Sequence, residues 1–109
     1  MKDGGGPVPP SIQEQTRKRV SAHAEKILAG KASWIEVRFR SNYCYIDAQE
    51  PDGSPPTHLV RLSWEGDVER WSLAFYTYSN EKYQPCVFGN GQPFGTPEEA
   101  LQIGAVYLG

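Results

Sequence analysis

The chain has 109 residues, 39% of them apolar and 22% charged, which is the balance of one ordinary globular domain. Eleven Lys and Arg against thirteen Asp and Glu leave a net charge of -2, which excludes a protein that coats nucleic acid through bulk positive charge. Three Trp, six Tyr and four Phe stand beside eleven Gly and nine Pro, a mixture that favours strands and tight turns over a helical bundle.

Residues 1–10 hold three consecutive glycines and three prolines, with Val8 as the one apolar side chain able to anchor them. They read as a flexible leader, and residues 11–109 as the single domain. Ser11-Ile12-Gln13-Glu14 has the form of a capping box and predicts a helix from Ser11 to Ala29, stopped by Gly30. Ile12, Thr16, Val20, His23 and Ile27 share one helical stripe, so one face is expected to pack and the other to be wet.

From Trp34 the period changes from 3.6 to 2. Ile35, Val37 and Phe39 alternate with Glu36, Arg38 and Arg40, the pattern of a strand with one buried face. A tight turn at Ser41-Asn42 then leads into Tyr43–Ala48 and predicts Phe39 opposite Cys44, Val37 opposite Ile46, Arg40 opposite Tyr43 and Arg38 opposite Tyr45. Gln49 to Pro56 is a loop by composition. A second hairpin follows, with arms Thr57–Glu65 and Val68–Tyr78 about a Gly66-Asp67 turn, pairing Leu62 with Trp71 and Val60 with Leu73. A turn at 79–82 leads to a fifth strand, Tyr83–Phe88, which Pro85 assigns to an edge.

Thr96-Pro97-Glu98-Glu99 joins an N-cap hydroxyl, a proline at the first helical position and an acidic first turn, predicting a closing helix from Pro97 to Leu108. Gly104 inside that helix costs roughly 1 kcal/mol relative to Ala, and close approach of the helix to the sheet would explain it. Ile103, Val106 and Tyr107 then need a second cover, from the first helix or another subunit. The predicted fold is α+β: an N-terminal helix, an antiparallel meander of four to five strands, and a C-terminal helix, with both helices on one sheet face. The other face is left to solvent or a partner.

Strand parity sorts the side chains. It sends Arg38, Arg40, Tyr43, Tyr45, Leu59, Arg61, Ser63, Arg70, Ala74, Tyr76, Tyr78 and Tyr83 to the outer face. Arginine forks a phosphate or a guanine edge and tyrosine offers a flat surface to bases, so this face could serve as a nucleic-acid platform. Glu36, Asp47 and Glu65 share the parity and could instead tie the arginines into a solvated lattice of charge pairs. Arg and aromatic enrichment also marks protein interfaces. Arg17-Lys18-Arg19 reads as the wet side of the first helix, and His23 and His58 as packed, inward-facing histidines.

Signals for catalysis are weak. Cys44 and Cys86 lie far apart with no second ligand at metal spacing and read as two free thiols. A Cys-His nucleophile would need one of them beside His58 or His23, yet both fall at core strand positions where a thiol is inert. Gly89-Asn90-Gly91-Gln92-Pro93 lacks the Lys-Ser/Thr of a phosphate loop. No cofactor and no metal is expected. No window approaches the roughly 18 apolar residues of a membrane span, and the first residues do not form a secretion signal, so a cytoplasmic location is expected.

Gln92-Pro93-Phe94-Gly95-Thr96-Pro97-Glu98-Glu99-Ala100 resembles the strand-to-helix junction of small domains in plant ethylene-response regulators and phage integrase arm-binding modules. The resemblance implies a sheet that enters the DNA major groove, with the role of its basic residues carried here by Arg38, Arg40, Arg61 and Arg70. It covers nine residues, and this chain departs from that pattern in its long first helix, its additional strands and its negative charge. The function expected from the whole sequence is a non-enzymatic binding domain. Its outer face, through Arg38, Arg40, Tyr43, Tyr45, Arg61, Arg70, Tyr76 and Tyr78, would contact a protein partner or a second copy, with nucleic acid as the alternative and a Cys/His enzyme as the third.

Overall fold

The computed structural model describes residues 6–28, 34–49, 53, 55–89 and 91–105. In chain order the elements are α1 (Pro10–Ile27), β1 (Trp34–Arg40), β2 (Tyr43–Gln49), β3 (Thr57–Asp67), β4 (Arg70–Thr77), β5 (Lys82–Cys86), β6 (Phe94–Gly95) and α2 (Pro97–Ala105). The fold is the expected α+β arrangement. Strands β1 to β5 form an antiparallel meander in sequence order, and the short β6 pairs with β4 beyond the end of β5. The two helices contact each other and the sheet, so α1 supplies cover for α2. Among the described residues no helix is long and apolar enough to cross a membrane.

Helix α1 starts differently from the expectation. Its N-cap is Pro9, which makes no side-chain capping bond, and Pro10 opens the helix. Prolines suit that position because their fixed φ is already helical and their missing N–H would have been an orphan, so the Ser11 capping box is not used. Val8, just upstream, is buried, and its N–H donates to the Ser41 carbonyl at 3.0 Å. Thr16, Val20 and Ala24 are the buried stripe. The helix ends at Ile27; the predicted Gly30 stop lies outside the described residues, as do residues 1–5 of the leader and Val106 and Tyr107 of the closing helix.

The β1–β2 hairpin has the register that its alternation predicts, including Phe39 opposite Cys44 and Arg38 opposite Tyr45. The β3–β4 hairpin does not. Leu62 pairs with Leu73 and Val60 with Phe75, two residues away from the predicted pairing. The turn is made by Val68-Glu69, where the Asp67 carboxylate accepts the Glu69 N–H at 2.8 Å. Gly66 instead sits at φ 94° where the β3–β4 register breaks between Trp64 and Asp67. A two-residue slip preserves parity, because side chains alternate with period 2, so the slip leaves the side chains from Val60 to Trp64 and from Trp71 to Thr77 on their predicted faces.

The inner face of the sheet carries Val37, Cys44, Ile46, Ala48, Val60, Leu62, Trp64, Trp71 and Leu73, all buried. Trp64 and Trp71 pack at 5.0 Å, and the Trp71 indole donates to the Val68 carbonyl, so its one polar atom is satisfied. Against this face α2 begins with the predicted cap in reciprocal form: the Thr96 hydroxyl accepts the Glu99 N–H while Glu99 accepts the Thr96 N–H. At Gly104 a Cβ would stand 2.9 Å from Leu59 Cβ and 3.2 Å from Val60 Cγ1. The helix backbone therefore lies directly on β3, which is what the mid-helix glycine permits.

Candidate functional site

A single extra residue decides the composition of the outer face. Ile46 pairs with Val60, but Asp47 pairs with His58, so Leu59 has no opposite number and forms a β-bulge. Leu59 and Val60 are both fully buried beneath α2. Beyond the bulge the parity reverses. His58, expected to point inward, lies on the outer face, and Leu59, expected outward, belongs to the core.

His58 is held there by Asp47 and by the rings of Tyr76, Tyr78 and Tyr83. Its Nδ1 is 3.0 Å from Asp47 Oδ1, its ring stacks on Tyr78 and packs against Tyr76 at 4.8 Å, and its backbone N–H donates to the Tyr78 hydroxyl at 2.7 Å. Asp47 is 3% exposed, and an acid so buried needs partners. Its second oxygen, Oδ2, accepts from Arg38 Nε at 3.1 Å and pairs with the terminal nitrogen at 2.9 Å. One carboxylate from β2 thus joins an arginine from β1 to a histidine from β3.

The tyrosines form a continuous layer around this hub. Tyr83 of β5 meets Tyr76 at 5.0 Å and Tyr45 at 5.6 Å, both edge to face, and Tyr76 meets Tyr78 at 4.7 Å in the same way. Edge-to-face contact is the favoured aromatic geometry, worth about 0.5–1.5 kcal/mol per pair beyond area. Burial holds the Tyr83 hydroxyl protonated well above the usual phenol range, and the nearby Asp47 charge pushes the same way. Two arginines lie over the rings: Arg38 over Tyr45 at 5.0 Å, and Arg61 between Tyr43 at 4.4 Å and Tyr83 at 5.2 Å.

Six of the eight predicted site residues, Arg38, Tyr43, Tyr45, Arg61, Tyr76 and Tyr78, therefore meet in one layer, joined by Tyr83. Two do not. Arg70 lies over Phe94 of β6 at 4.2 Å, at the far end of β4, because the hairpin slip makes it the first residue of that strand. Arg40 is exposed at the last position of β1. The residue missed by parity is His58; Asp47 was expected on this face as an arginine partner and does pair with Arg38, and His58 is its additional partner. The available signal was the Leu59-Val60 pair, two adjacent aliphatics in an alternating strand, which strict parity can accommodate only by exposing one of them.

The cysteine chemistry is not assembled among the described residues. Cys44 is fully buried on the inner face, opposite to His58, and burial pushes its thiol up to about 12. Cys86 is half-buried on β5 and its thiol is likewise raised by burial. Both are free, and no cluster of three or more His, Cys, Asp or Glu able to hold a metal ion occurs among the described residues. An ion pair ties α1 to α2, with Arg19 donating two bonds of 2.8 Å to Glu98, and a further bond of 3.1 Å reaches Glu69 in the β3–β4 turn. No family model, no curated protein and no solved structure matches the chain.

Proposed function

We propose that the protein is a non-enzymatic interaction domain that contacts a protein partner through its outer sheet face. The observation that carries this reading is the edge-to-face packing of Tyr45, Tyr76, Tyr78 and Tyr83 around the Asp47–His58 pair. Rings packed in this way present hydroxyls, edges and arginine planes held at fixed positions, the composition enriched at protein hot spots. A nucleic-acid platform needs open ring faces and uncompensated arginines. Here Tyr45 and Tyr43 are covered by guanidinium groups and Arg38 is neutralised by Asp47, which leaves Arg61 as the one arginine of the ring layer without a carboxylate among the described residues; closed ring faces with a single unpaired cation favour protein over nucleic acid. At the rim, Tyr78 and Val87 are each 55% exposed, which suits them as peripheral contacts.

The size of the face sets the expected strength. Five strands spaced about 4.8 Å apart and about seven residues long cover roughly 20 by 23 Å, or ~450 Å². Specific stable interfaces bury about 800 Å² per partner, so contact through this face alone belongs to the transient class. The reading is tested by placing a photo-crosslinking phenylalanine analogue at Tyr78, and as a control at Gln15 on the wet side of α1, in cells that naturally express the chain. A discrete protein adduct should form from position 78 alone and be lost in Tyr76→Ala. Equal adducts from both positions, or chemical-shift changes at Tyr76 and Arg38 on adding DNA or RNA oligonucleotides, would refute it.

A further inference from the structure

Arg61 is the outer-face cation with the least satisfied chemistry. It occupies the central strand, between Tyr45 of β2 and Ala74 of β4 in register. Its Nε is buried without a hydrogen-bond partner, and among the described residues no carboxylate pairs with it. By contrast, Arg38 is committed to Asp47, Arg19 to Glu98 and Glu69, and Arg17 to the Val37 carbonyl. The two rings that sandwich the guanidinium, Tyr43 and Tyr83, fix its plane. The neighbouring positions toward β4 are small: Ala74 lies opposite Arg61, and Ser63 lies opposite Ser72 on the same face. Ala74 is covered, at 4% exposure, while Arg61 remains partly exposed although its Nε is buried, so a planar acceptor approaches the guanidinium from solvent and not across Ala74.

We propose that Arg61 is the anion-reading residue of this face and receives a side-chain carboxylate of the partner protein. The assignment rests on the interaction-domain reading and names the chemistry of the partner. A guanidinium held between two rings has already lost the rotamer freedom that a free arginine gives up on binding, and its fork matches the two oxygens of a carboxylate. The charge complementarity is local. By register and parity Arg38, Arg40, Arg61 and Arg70 share the face with Glu36, Asp47, Glu65 and Asp67, a balanced set in which Asp47 is taken up by Arg38, while Arg61 combines a buried, unpartnered Nε with no carboxylate partner among the described residues.

The test uses the full chain labelled with ¹⁵N and follows the arginine Nε–H resonances, since a buried Nε–H exchanges slowly enough with water to be seen. The probes are a capped hexaglutamate peptide, a capped hexalysine peptide and inorganic phosphate. Hexaglutamate should shift the Arg61 Nε–H saturably and hexalysine should not. Arg61→Lys keeps the charge but loses the planar fork, and binding followed there through the backbone amides of its register neighbours Tyr45 and Ala74 should weaken roughly tenfold; Tyr43→Leu, which removes one wall of the clamp, should weaken the Arg61 Nε–H response with Arg61 unchanged. Movement of Arg40 or Arg70 without Arg61, no movement of any outer-face signal, or a stronger response to phosphate than to hexaglutamate would each overturn the assignment. A Tyr78 cross-link that persists at full yield in Arg61→Lys would remove Arg61 as the anion reader while leaving the interaction face standing.

Discussion

Gly104→Ala sets two effects of known sign against each other. Alanine is the better helix former by roughly 1 kcal/mol, so in an exposed helix the change would stabilise. In α2 the new Cβ would stand 2.9 Å from Leu59 Cβ and 3.2 Å from Val60 Cγ1. The first is closer than real carbon pairs come, and Leu59 Cβ is fixed to the β3 backbone, so a rotamer change cannot relieve it. Overpacking of this kind costs about 1–3 kcal/mol; with both neighbours involved the upper part of that range applies, leaving a net loss of ~1–2 kcal/mol after the propensity gain. For a domain of about 100 residues this lowers the melting temperature by roughly 5–10 °C. Urea unfolding followed by the fluorescence of the buried Trp71 measures it directly. Because Leu59 is the bulge residue that turns His58 outward, the His58 imidazole resonances should also shift, although His58 lies on the opposite side of the sheet from α2. Unchanged or increased stability in Gly104→Ala would refute the close seating of α2 on β3.

Burial raises the Glu98 pKa, but its bonds to Arg19 more than offset this, so in the folded protein it lies below its ordinary value of 4.5. The stability it contributes is therefore present above about pH 4.5 and is lost as pH falls through the lower folded value; Arg19→Ala should flatten that acid limb of the stability–pH curve. The Cys44 thiol, pushed up to about 12 by burial, should be unreactive to a disulfide reagent at neutral pH until the protein unfolds, whereas the half-buried Cys86 should react first; simultaneous reaction would contradict the inner-face placement of Cys44. Tyr78→Phe removes the hydroxyl that accepts the His58 N–H and should cost about 1 kcal/mol, with faster amide exchange at His58. Unaltered exchange at that amide would rule out the bond.

Much of the architecture was legible because it rests on local physics. The alternation from Ile35 to Arg40 and the short turn at Ser41-Asn42 together fix the β1–β2 register. The Thr96–Glu99 cap fixes the start of α2 through backbone donors that nothing but the nearest side chains can satisfy. The wrong turn in the second hairpin left the β4 side chains on their predicted faces, since a slip of two residues preserves parity, although it carried Arg70 to the end of the strand. Gly66 was a true signal of positive φ, assigned to the wrong structural use.

The site was harder to read because a one-residue irregularity reverses everything beyond it. With strict alternation His58 belongs to the core and Leu59 to the surface; the bulge exchanges them and supplies Asp47 with its second partner. Which of two adjacent aliphatics is expelled from the ladder depends on what lies above them, and above Leu59 and Val60 lies Gly104, more than forty residues later in the chain. The sequence by itself determined the helix–meander–helix order, the inner face and the crowding of tyrosine and arginine on the outer one, because propensity, period and capping act over a few residues. Only the tertiary structure decided that His58 joins that face, that Arg70 leaves its centre and that Arg61 is clamped between two rings, because each depends on contacts between strands and helices whose separation in sequence leaves no local trace.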